Sequence, residues 1–157
     1  MAQHTSRGYS GGYQQGAGPR PRPEQVSEIN ISGIVFGRNI DPKLYSDIAE
    51  ETAKAIARGA GRDGNKPSQL RRFYDELVAL QDKVRRDYER FEQLRPFIQM
   101  LKAKVAYARG RNKVDQNFVL MLGRLVDQAD DPDKLKQARL FMEAFMAFYK
   151  VHGPREG

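Results

Sequence analysis

Fold and charge are decided together by the stretch Leu101-Lys102-Ala103-Lys104-Val105-Ala106-Tyr107-Ala108-Arg109-Gly110-Arg111-Asn112-Lys113. At about 100° per residue, Leu101, Val105 and Ala108 fall within one narrow arc of a helix, together with Phe97 upstream, and Ile98 extends the arc. The spacing therefore predicts a helix whose core face is this apolar arc. The stretch also carries five cationic side chains, one tyrosine and no acid, which indicates a surface facing a polyanion.

The cations of this predicted helix flank the apolar arc on both sides. Lys104, Tyr107 and Arg111 lie along one border, and Lys102 and Arg109 lie along the other. We interpret Tyr107 as an amphipathic residue at the core edge, because that role is more common beside a core stripe than base stacking. The same segment is thus expected to be a core element and one side of a cationic surface.

Capping signals predict four further helices, and hence an all-α fold: a compact bundle of about five helices with a disordered N-terminal tail. The first helix runs from an Asp41-Pro42 cap to about Arg58, where a glycine-rich linker interrupts the pattern. The second begins at Ser68 as its cap and runs toward Arg86. The first two helices are therefore joined by a short linker.

The third helix, which contains the cationic stretch, is predicted to begin near Tyr88 or Phe91 and to end near Arg109. Pro96 marks either its start or a kink, and Gly110 is the expected C-cap. This helix should lie directly before a short turn.

The last two helices have the clearest boundaries. The fourth runs from about Asp115 to Gln128, and the fifth starts at Asp131-Pro132 and stops at Gly153-Pro154. In the fifth helix, the spacing of four and three residues predicts one apolar stripe, formed by Phe141, Phe145 and Phe148.

Composition divides the chain into a tail, residues 1–28, and a single helical-bundle domain, residues 29–157. The tail is rich in Gly, Gln, Tyr, Pro and Arg, and such a composition cannot bury enough apolar area to offset its ordering entropy. Arg-Gly-Tyr sequences can bind RNA, although an inert tail is the favoured interpretation. Residues 29–36 alternate with period two and predict an extended segment, lying across a groove of its own bundle or, less favoured, on a neighbouring subunit.

The whole chain is basic. Its 157 residues include 27 basic and 20 acidic side chains, a formal charge of +7, which favours nucleic acid or an anionic membrane surface as partner, with acidic substrates third. There is no cysteine, which excludes disulfides and thiolate chemistry. No apolar run approaches the roughly 18–20 residues of a membrane span, and no secretory signal is recognisable. We expect a cytoplasmic protein.

The excess positive charge is localised. Residues 66–113 hold 13 basic and 6 acidic side chains, an excess equal to that of the whole chain. Lys66, Arg71 and Arg72 form a second group at the start of the second helix, with Gln69 among them. Because helix N-termini attract phosphate, Lys66, Ser68 and Gln69 could bind one phosphate group. The alternative is a set of solvated helix-edge residues in weak surface pairs.

Three motifs together resemble one protein family, the small subunit of the type III-A CRISPR effector (Csm) complex. They are the third-helix run Leu101-Lys102-Ala103-Lys104-Val105-Ala106-Tyr107-Ala108-Arg109-Gly110-Arg111, the second-helix start Pro67-Ser68-Gln69-Leu70-Arg71-Arg72-Phe73, and the terminal Phe141-Met142-Glu143-Ala144-Phe145-Met146-Ala147-Phe148-Tyr149-Lys150. They span about residues 66–153 in order. The tail and residues 29–36 match no pattern of the family.

The resemblance implies a non-catalytic, all-helical antiviral-defence subunit without cofactors. It would stack in several copies along the ribonucleoprotein, beside other Csm subunits, and contact target RNA or the guide–target duplex through the backbone, without base preference. A homodimer in isolation is a further expectation. The RNA-binding positions implied by the motifs are Lys66, Gln69, Arg71, Arg72, Lys102, Lys104, Arg109 and Arg111.

Other classes of function remain open. For an enzyme, no chemical constellation is visible: His4 lies in the tail, and His152 lies at the C-terminus of the last helix, where the helix dipole favours a cation. Capping explains Asp131, and loop solvation explains Asp130 and Asp133. Catalysis and metal binding are therefore not expected.

A free-standing helical dimer that binds nucleic acid, such as a transcription regulator, is the main alternative. The Asn112–Asp115 turn is short enough for a helix-turn-helix, but the next helix carries Phe118, Leu122 and Leu125 instead of base-reading groups. A peripheral membrane protein would need the phenylalanines of the last helix to be exposed.

Overall fold

The computed structural model of the chain describes residues 27–61 and 64–155, and five α-helices form the fold within these ranges. They are α1 (Ala49–Arg58), α2 (Pro67–Arg86), α3 (Arg90–Gly110), α4 (Gln116–Gln128) and α5 (Pro132–His152). A π-helical turn, Leu44–Ile48, precedes α1. No β-strand forms anywhere in the described ranges. The all-α prediction is confirmed. Of the predicted tail, residues 1–28, only Ser27 and Glu28 lie within the described residues.

Most predicted helix ends are correct because they follow from local capping. The side chain of Asp115 accepts a hydrogen bond from the Phe118 N–H (2.9 Å) at the start of α4, and Asp131 accepts one from the Lys134 N–H (2.7 Å) at the start of α5. Helix α1 ends at Arg58 as predicted.

Three predicted helix ends are wrong. Asp41 does not cap an α-helix, because its carboxylate accepts from the Lys43 N–H (2.8 Å) in a turn before the π-helical segment. Ser68 lies inside α2, whose N-cap is Lys66 with Pro67 as the first helical residue. Gly110 is the last residue of α3 rather than its cap, and Asn112 takes the left-handed backbone, at φ 58°, that closes the turn. Pro96 lies within α3.

Helix α5 is at the centre of the packing. It lies against α1, α2 and α4, whereas α3 lies against α2 and α4. Aromatic rings join these layers: the Phe118 ring of α4 lies 5.5 Å from that of Phe73 on α2 and 6.4 Å from that of Phe145 on α5, between ring centroids. Phe141 and Phe145 are fully buried and Phe148 is partly buried against the core, as the apolar stripe predicted.

Residues 27–37, here called the strap, cross the outside of the bundle. Ile29, Ile34 and Phe36 are buried in the core, and the strap is bound through its backbone to α4 and α5. The favoured interpretation of residues 29–36 is therefore confirmed: the segment lies across a groove of its own bundle. It forms no strand because amide side chains, not another strand, satisfy its backbone.

Candidate nucleic-acid interface

The start of α2 and the end of α3 are held together by Asn65. Its backbone N–H donates to the carbonyl of Lys113 (3.0 Å), its Oδ1 accepts from the Asp115 N–H (2.9 Å), and its Nδ2 donates to the carbonyl of Ile56 (3.2 Å). The Tyr149 hydroxyl donates to the Asn65 carbonyl. We call this meeting point of α2 and α3 the basic end, because Lys66, Arg72, Arg109, Arg111 and Lys113 surround it in sequence.

Asn65 is fully buried and has a φ of 54°. Asparagine tolerates this left-handed backbone better than most residues, and burial is acceptable here because both polar ends of the side chain are hydrogen-bonded. The sequence analysis missed this residue. Its only signal was the Gly64-Asn65 pair within the linker, which is typical of a turn.

A groove runs between α2 and α3. Lys104 on α3 forms an ion pair across it with Glu76 on α2, with 2.7 Å between Nζ and Oε2. Beyond this pair, away from the basic end, the groove is lined mostly by apolar residues, including Leu80, Leu94 and Met100, with Lys83 among them. We call the whole feature the α2–α3 groove and the part beyond the ion pair its apolar half.

The basic half of the α2–α3 groove lies between the ion pair and the basic end. Arg72 is one helical turn before Glu76, and Gln69 is two turns before it, so helical phase places both on the α3 side of α2. On α3, Tyr107 and Arg111 follow Lys104 by one and two turns. The Arg111 guanidinium lies 5.6 Å from the centroid of the Tyr107 ring, a distance within the range of a cation–π contact.

Two side chains of α3 are placed differently from the prediction. Tyr107 is 67% exposed and Phe97 is 54% exposed, whereas Ile98 is fully buried. The core-edge interpretation of Tyr107 and the core assignment of Phe97 are therefore wrong. Phe97 and Ile98 border the apolar arc on opposite sides, and Ile98 is covered whereas Phe97 lines the α2–α3 groove and stays half-exposed. Tyr107 instead presents its ring beside Arg111.

The structure divides the eight predicted site residues among three helix edges. Lys102 forms an ion pair with Asp127 of α4, so it lies on the opposite border of α3 from Lys104, as its phase predicted, and Arg109 shares that border. Arg71 lies three turns before Asp82, which pairs with Arg139 of α5 (2.7 Å). Lys66, Gln69, Arg72, Lys104 and Arg111 remain together on the side of the basic end.

Among the predicted RNA-binding residues, those without an acidic partner are the strongest candidates for binding phosphate. No carboxylate of the described residues lies within ion-pair distance of Arg72, Arg109 or Arg111, and all three are exposed. Lys104 is paired, but its side chain is 49% exposed, and surface pairs of this kind contribute about 1 kcal/mol or less. A phosphate could therefore replace Glu76 as its partner. Lys113, which the prediction left out, is also exposed at the basic end.

The start of α2 offers fewer phosphate donors than expected. Pro67 has no N–H, and the Gln69 N–H already donates to the carbonyl of Lys66 (2.9 Å). A phosphate at this helix end would depend on side chains more than on the backbone amides that usually form such sites.

The acidic residues and the histidine of the last helix have structural partners. Asp131 caps α5, and the Lys134 ammonium, hydrogen-bonded to Asp130, lowers the pKa of that carboxyl. His152 lies 3.4 Å from Glu50 between Nε2 and Oε2. Within residues 27–61 and 64–155, no group of three His, Cys, Asp or Glu could hold a metal ion, and no helix there is long and apolar enough to cross a membrane. His4 lies outside the described residues.

The fold and the groove define a class: a small helical protein with a cationic groove between two of its helices. Within that class, a family profile described as Csm2 Type III-A matches residues 41–155, and the chain belongs to this family. The resemblance to the small subunit of the type III-A CRISPR effector is thereby confirmed, and it implies association with other subunits of the Csm complex. No curated protein and no solved structure matches the chain. The matched range begins after the strap.

Proposed function

We propose that this chain is a non-catalytic subunit that binds the RNA backbone through the basic half of the α2–α3 groove, without base preference. The observation that carries the proposal is the bond between Asn65 and Lys113, which brings the start of α2 and the end of α3, with their cations, to one end of the bundle. Family membership supplies the setting, a ribonucleoprotein in which guide RNA pairs with target RNA.

The chemistry of the basic half favours phosphate over base edges. Arg72 and Arg111 have no acidic partner in the described structure, and arginine binds phosphate through two parallel N–H donors. The Tyr107 ring offers a stacking surface for any base, so it adds affinity without sequence preference. Gln69 is the amide side chain that α2 contributes to this half. Sequence selection would then rest with base pairing between guide and target.

Copies of the subunit would lie along the RNA within the complex, next to other Csm subunits. In this arrangement each copy contributes a short patch of backbone contacts, and avidity along the strand supplies the affinity that one patch lacks. A homodimer in isolation belongs to the same proposal.

The alternative, a free-standing regulator that reads duplex DNA, is disfavoured by the surroundings of α4. A reading helix must present an exposed face to the major groove. Phe118, Leu122 and Leu125 are fully buried in the core, and Asn117 and Gln128 of α4 are hydrogen-bonded to the strap. The helix after the turn is thus covered on both its apolar and its polar side.

The proposal is tested with unstructured single-stranded RNAs of several sequences. Arg72→Glu/Arg111→Glu is expected to weaken binding at least tenfold, and to lower the slope of log affinity against log salt by about 0.7 for each phosphate that the variant no longer binds. The control is Arg38→Glu/Lys136→Glu, because these cations line a depression beside the start of α5 and the change in net charge is the same. Equal losses of affinity in the two variants would contradict a localised site, and strong preference for one duplex DNA would favour the regulator.

A further inference from the structure

A stripe of large side chains follows one face of α3 along the whole α2–α3 groove. Its members are three and four residues apart, which is the spacing of one helix face: Phe97, Met100, Lys104, Tyr107 and Arg111. The two aromatic rings and the Met100 side chain are all exposed. One ring therefore lies on each side of the Lys104 ammonium, and the two rings are separated by about 15 Å along the helix axis at 1.5 Å per residue.

The apolar half of the groove is an open depression with the volume of a small-ligand site. Eight residues line it, and it encloses about 340 Å³, which is at the lower end of the range for small-molecule pockets, roughly 300–1,000 Å³. Leu80 and Leu94 pack against the core, whereas Phe97 and Met100 present about half of their surface to solvent. Exposed apolar groups gathered in one depression are typical of a binding site.

Cations bound the apolar half at both of its ends. Lys104 lies at the end nearer the basic end, in its pair with Glu76. Lys83 lines the other end and follows Glu76 by two turns of α2, about 10 Å along the axis. Lys83 is exposed, and no carboxylate of the described residues lies within ion-pair distance of it. A strand whose phosphates contact both lysines would place a base over the apolar lining between them.

An unpaired nucleobase fits this lining better than a protein segment does. Every base has a π-face that stacks on an aromatic ring, and proteins that bind single strands combine such rings with cations along one groove. Phe97 supplies the ring here, and Lys83 and Lys104 supply the cations. A stable protein–protein interface takes roughly 20–30 residues a side, whereas eight residues line the apolar half.

We propose that the apolar half of the α2–α3 groove binds one unpaired nucleobase of the RNA, stacked on the Phe97 ring beside Met100. Lys83 and Lys104 contact the phosphates on its two sides. The inference rests on the proposed function for the strand in the basic half, and it adds that this strand is unpaired. Bases of a duplex are stacked on their neighbours and paired at their edges, so a duplex contacts the basic half through phosphates and does not enter the apolar half.

The first test compares RNA with and without bases at constant charge. The probes are oligouridine of about 8 nucleotides, an oligomer of the same length whose sugar–phosphate backbone carries no bases, and a blunt RNA duplex. Phe97→Ala/Met100→Ala is expected to weaken binding of oligouridine about fivefold or more, which is the contribution of one stacked base. Binding of the other two probes should not change. The slope of log affinity against log salt should also stay the same, because stacking releases no counterions.

The control for this test removes apolar surface elsewhere. Val35→Ala/Val151→Ala shortens two exposed side chains, on the strap and on α5, and should leave all three affinities unchanged. Unchanged binding of the duplex by Phe97→Ala/Met100→Ala shows that this variant is folded. The base site would be overturned if that variant lost affinity equally for oligouridine and for the oligomer without bases, or lost none for either. Equal affinity of the unaltered chain for these two probes would overturn it as well.

The second test places a reporter in the apolar half. The chain has no tryptophan, so Phe97→Trp introduces a single indole and keeps an aromatic ring for stacking. Oligouridine is expected to quench the indole emission, because a base in contact with the ring quenches it, whereas the duplex and the oligomer without bases are not. Val35→Trp, at an exposed position of the strap, is the matched control and should not be quenched. Equal quenching at the two positions would overturn the location of the site.

The base site and the basic half fail separately. If Arg72→Glu/Arg111→Glu keeps full affinity for oligouridine while Phe97→Ala/Met100→Ala loses it, the proposed function of the basic half is wrong and the base site stands. If the arginine variant loses affinity and the other does not, the base site is wrong. Normal RNA binding by Phe97→Ala/Met100→Ala with loss of self-association in light scattering would assign the apolar half to a second copy of the chain instead. If the unaltered chain does not bind oligouridine, both proposals are wrong.

Discussion

At the scale of single residues, the basic end depends on Asn65. Its backbone and side chain together bond to the end of α1, the turn after α3 and the start of α4. Ile56 lies in one part of the chain, and Lys113 and Asp115 lie together in another, so the bonds of this one buried residue hold the start of α2 and the end of α3 at one end of the bundle. Its left-handed backbone restricts which side chains could replace it.

Substitution of Asn65 separates the hydrogen bonds from the backbone. Asn65→Gly keeps the left-handed conformation but leaves buried partners unsatisfied, for an expected loss of about 2 kcal/mol in the free energy of unfolding. Asn65→Ala adds the steric cost of that conformation, about 1 kcal/mol more. Urea denaturation measures both. Equal losses in the two variants would contradict a role for the backbone conformation.

The ion pair between Glu76 and Lys104 is the second feature that acts at this scale. Glu76 is the acid of the groove, and its carboxylate is paired with the Lys104 ammonium, the group that a bound phosphate would contact. Glu76→Gln is therefore expected to strengthen RNA binding a few-fold and to raise the salt slope by about 0.7, measured by titration of fluorescent oligouridine at several salt concentrations. Glu143→Gln, an exposed acid of α5, is the control for the change in net charge. Weaker binding on removal of Glu76 would place the RNA elsewhere.

At the scale of elements, the strap is a core component although it has no regular secondary structure. Its alternating pattern has the apolar side chains of Ile34 and Phe36 facing the bundle, with Val35 between them 51% exposed. Extended backbone outside a sheet needs other partners for its N–H and C=O groups, and the amides of α4 and α5 provide them.

Neighbouring strap residues should differ sharply in their effect on stability. Ile34 is fully buried, so Ile34→Ala is expected to lower the free energy of unfolding by about 2–4 kcal/mol. Val35→Ala removes a mostly exposed side chain and should change it by less than about 0.5 kcal/mol. Denaturation midpoints provide the comparison, and similar values for the two variants would mean that the strap is not held in this register.

At the scale of the whole molecule, the excess positive charge and the buried aromatic core belong to different helices. The excess positive charge belongs to residues 66–113, which form α2, α3 and the turns at their ends. Helix α5 supplies Phe141, Phe145 and Tyr149, three of the four fully buried aromatic side chains of the described residues. A molecule with an exposed cationic groove can bind a polyanion there and leave other surfaces for neighbouring subunits.

Binding of several copies to one RNA is the expected behaviour at this scale. On oligouridine of increasing length, light scattering should give a mass that rises by one subunit for each additional site, with cooperativity if adjacent copies touch. A mass fixed at one copy on every RNA length would contradict stacking along the strand. Raised salt should dissociate the copies from RNA in the same range that weakens single-site binding.

Much of the secondary structure was predictable because its signals are local. Asp115 and Asp131 cap the helices that follow them, and an N-cap bond involves residues only three apart. The same holds for the two borders of the α3 stripe: helical phase predicted Lys104 and Lys102 on opposite borders, and in the structure they pair with different helices, α2 and α4.

The exposure of Phe97 was not predictable for the opposite reason. Helical spacing places Phe97 and Ile98 on the two borders of one stripe, and nothing in α3 itself decides how closely a neighbouring helix packs against each border. The exposure of Tyr107 was not predictable for the same reason. Its spacing fits either a core-edge residue or an exposed ring, and the position of α2 leaves the ring exposed beside Arg111.

The sequence by itself determined the helices, the location of the positive charge and the resemblance to a family, because periodicity, caps and composition act over a few residues. Only the tertiary structure decided that Arg72 and Arg111 share one end of the bundle while Arg71 and Lys102 lie on other edges, and that the strap is bound to α4 and α5. These relations depend on bonds between distant residues, such as Asn65 to Lys113 and Asn117 to Ile29, and no local pattern encodes which distant groups will meet.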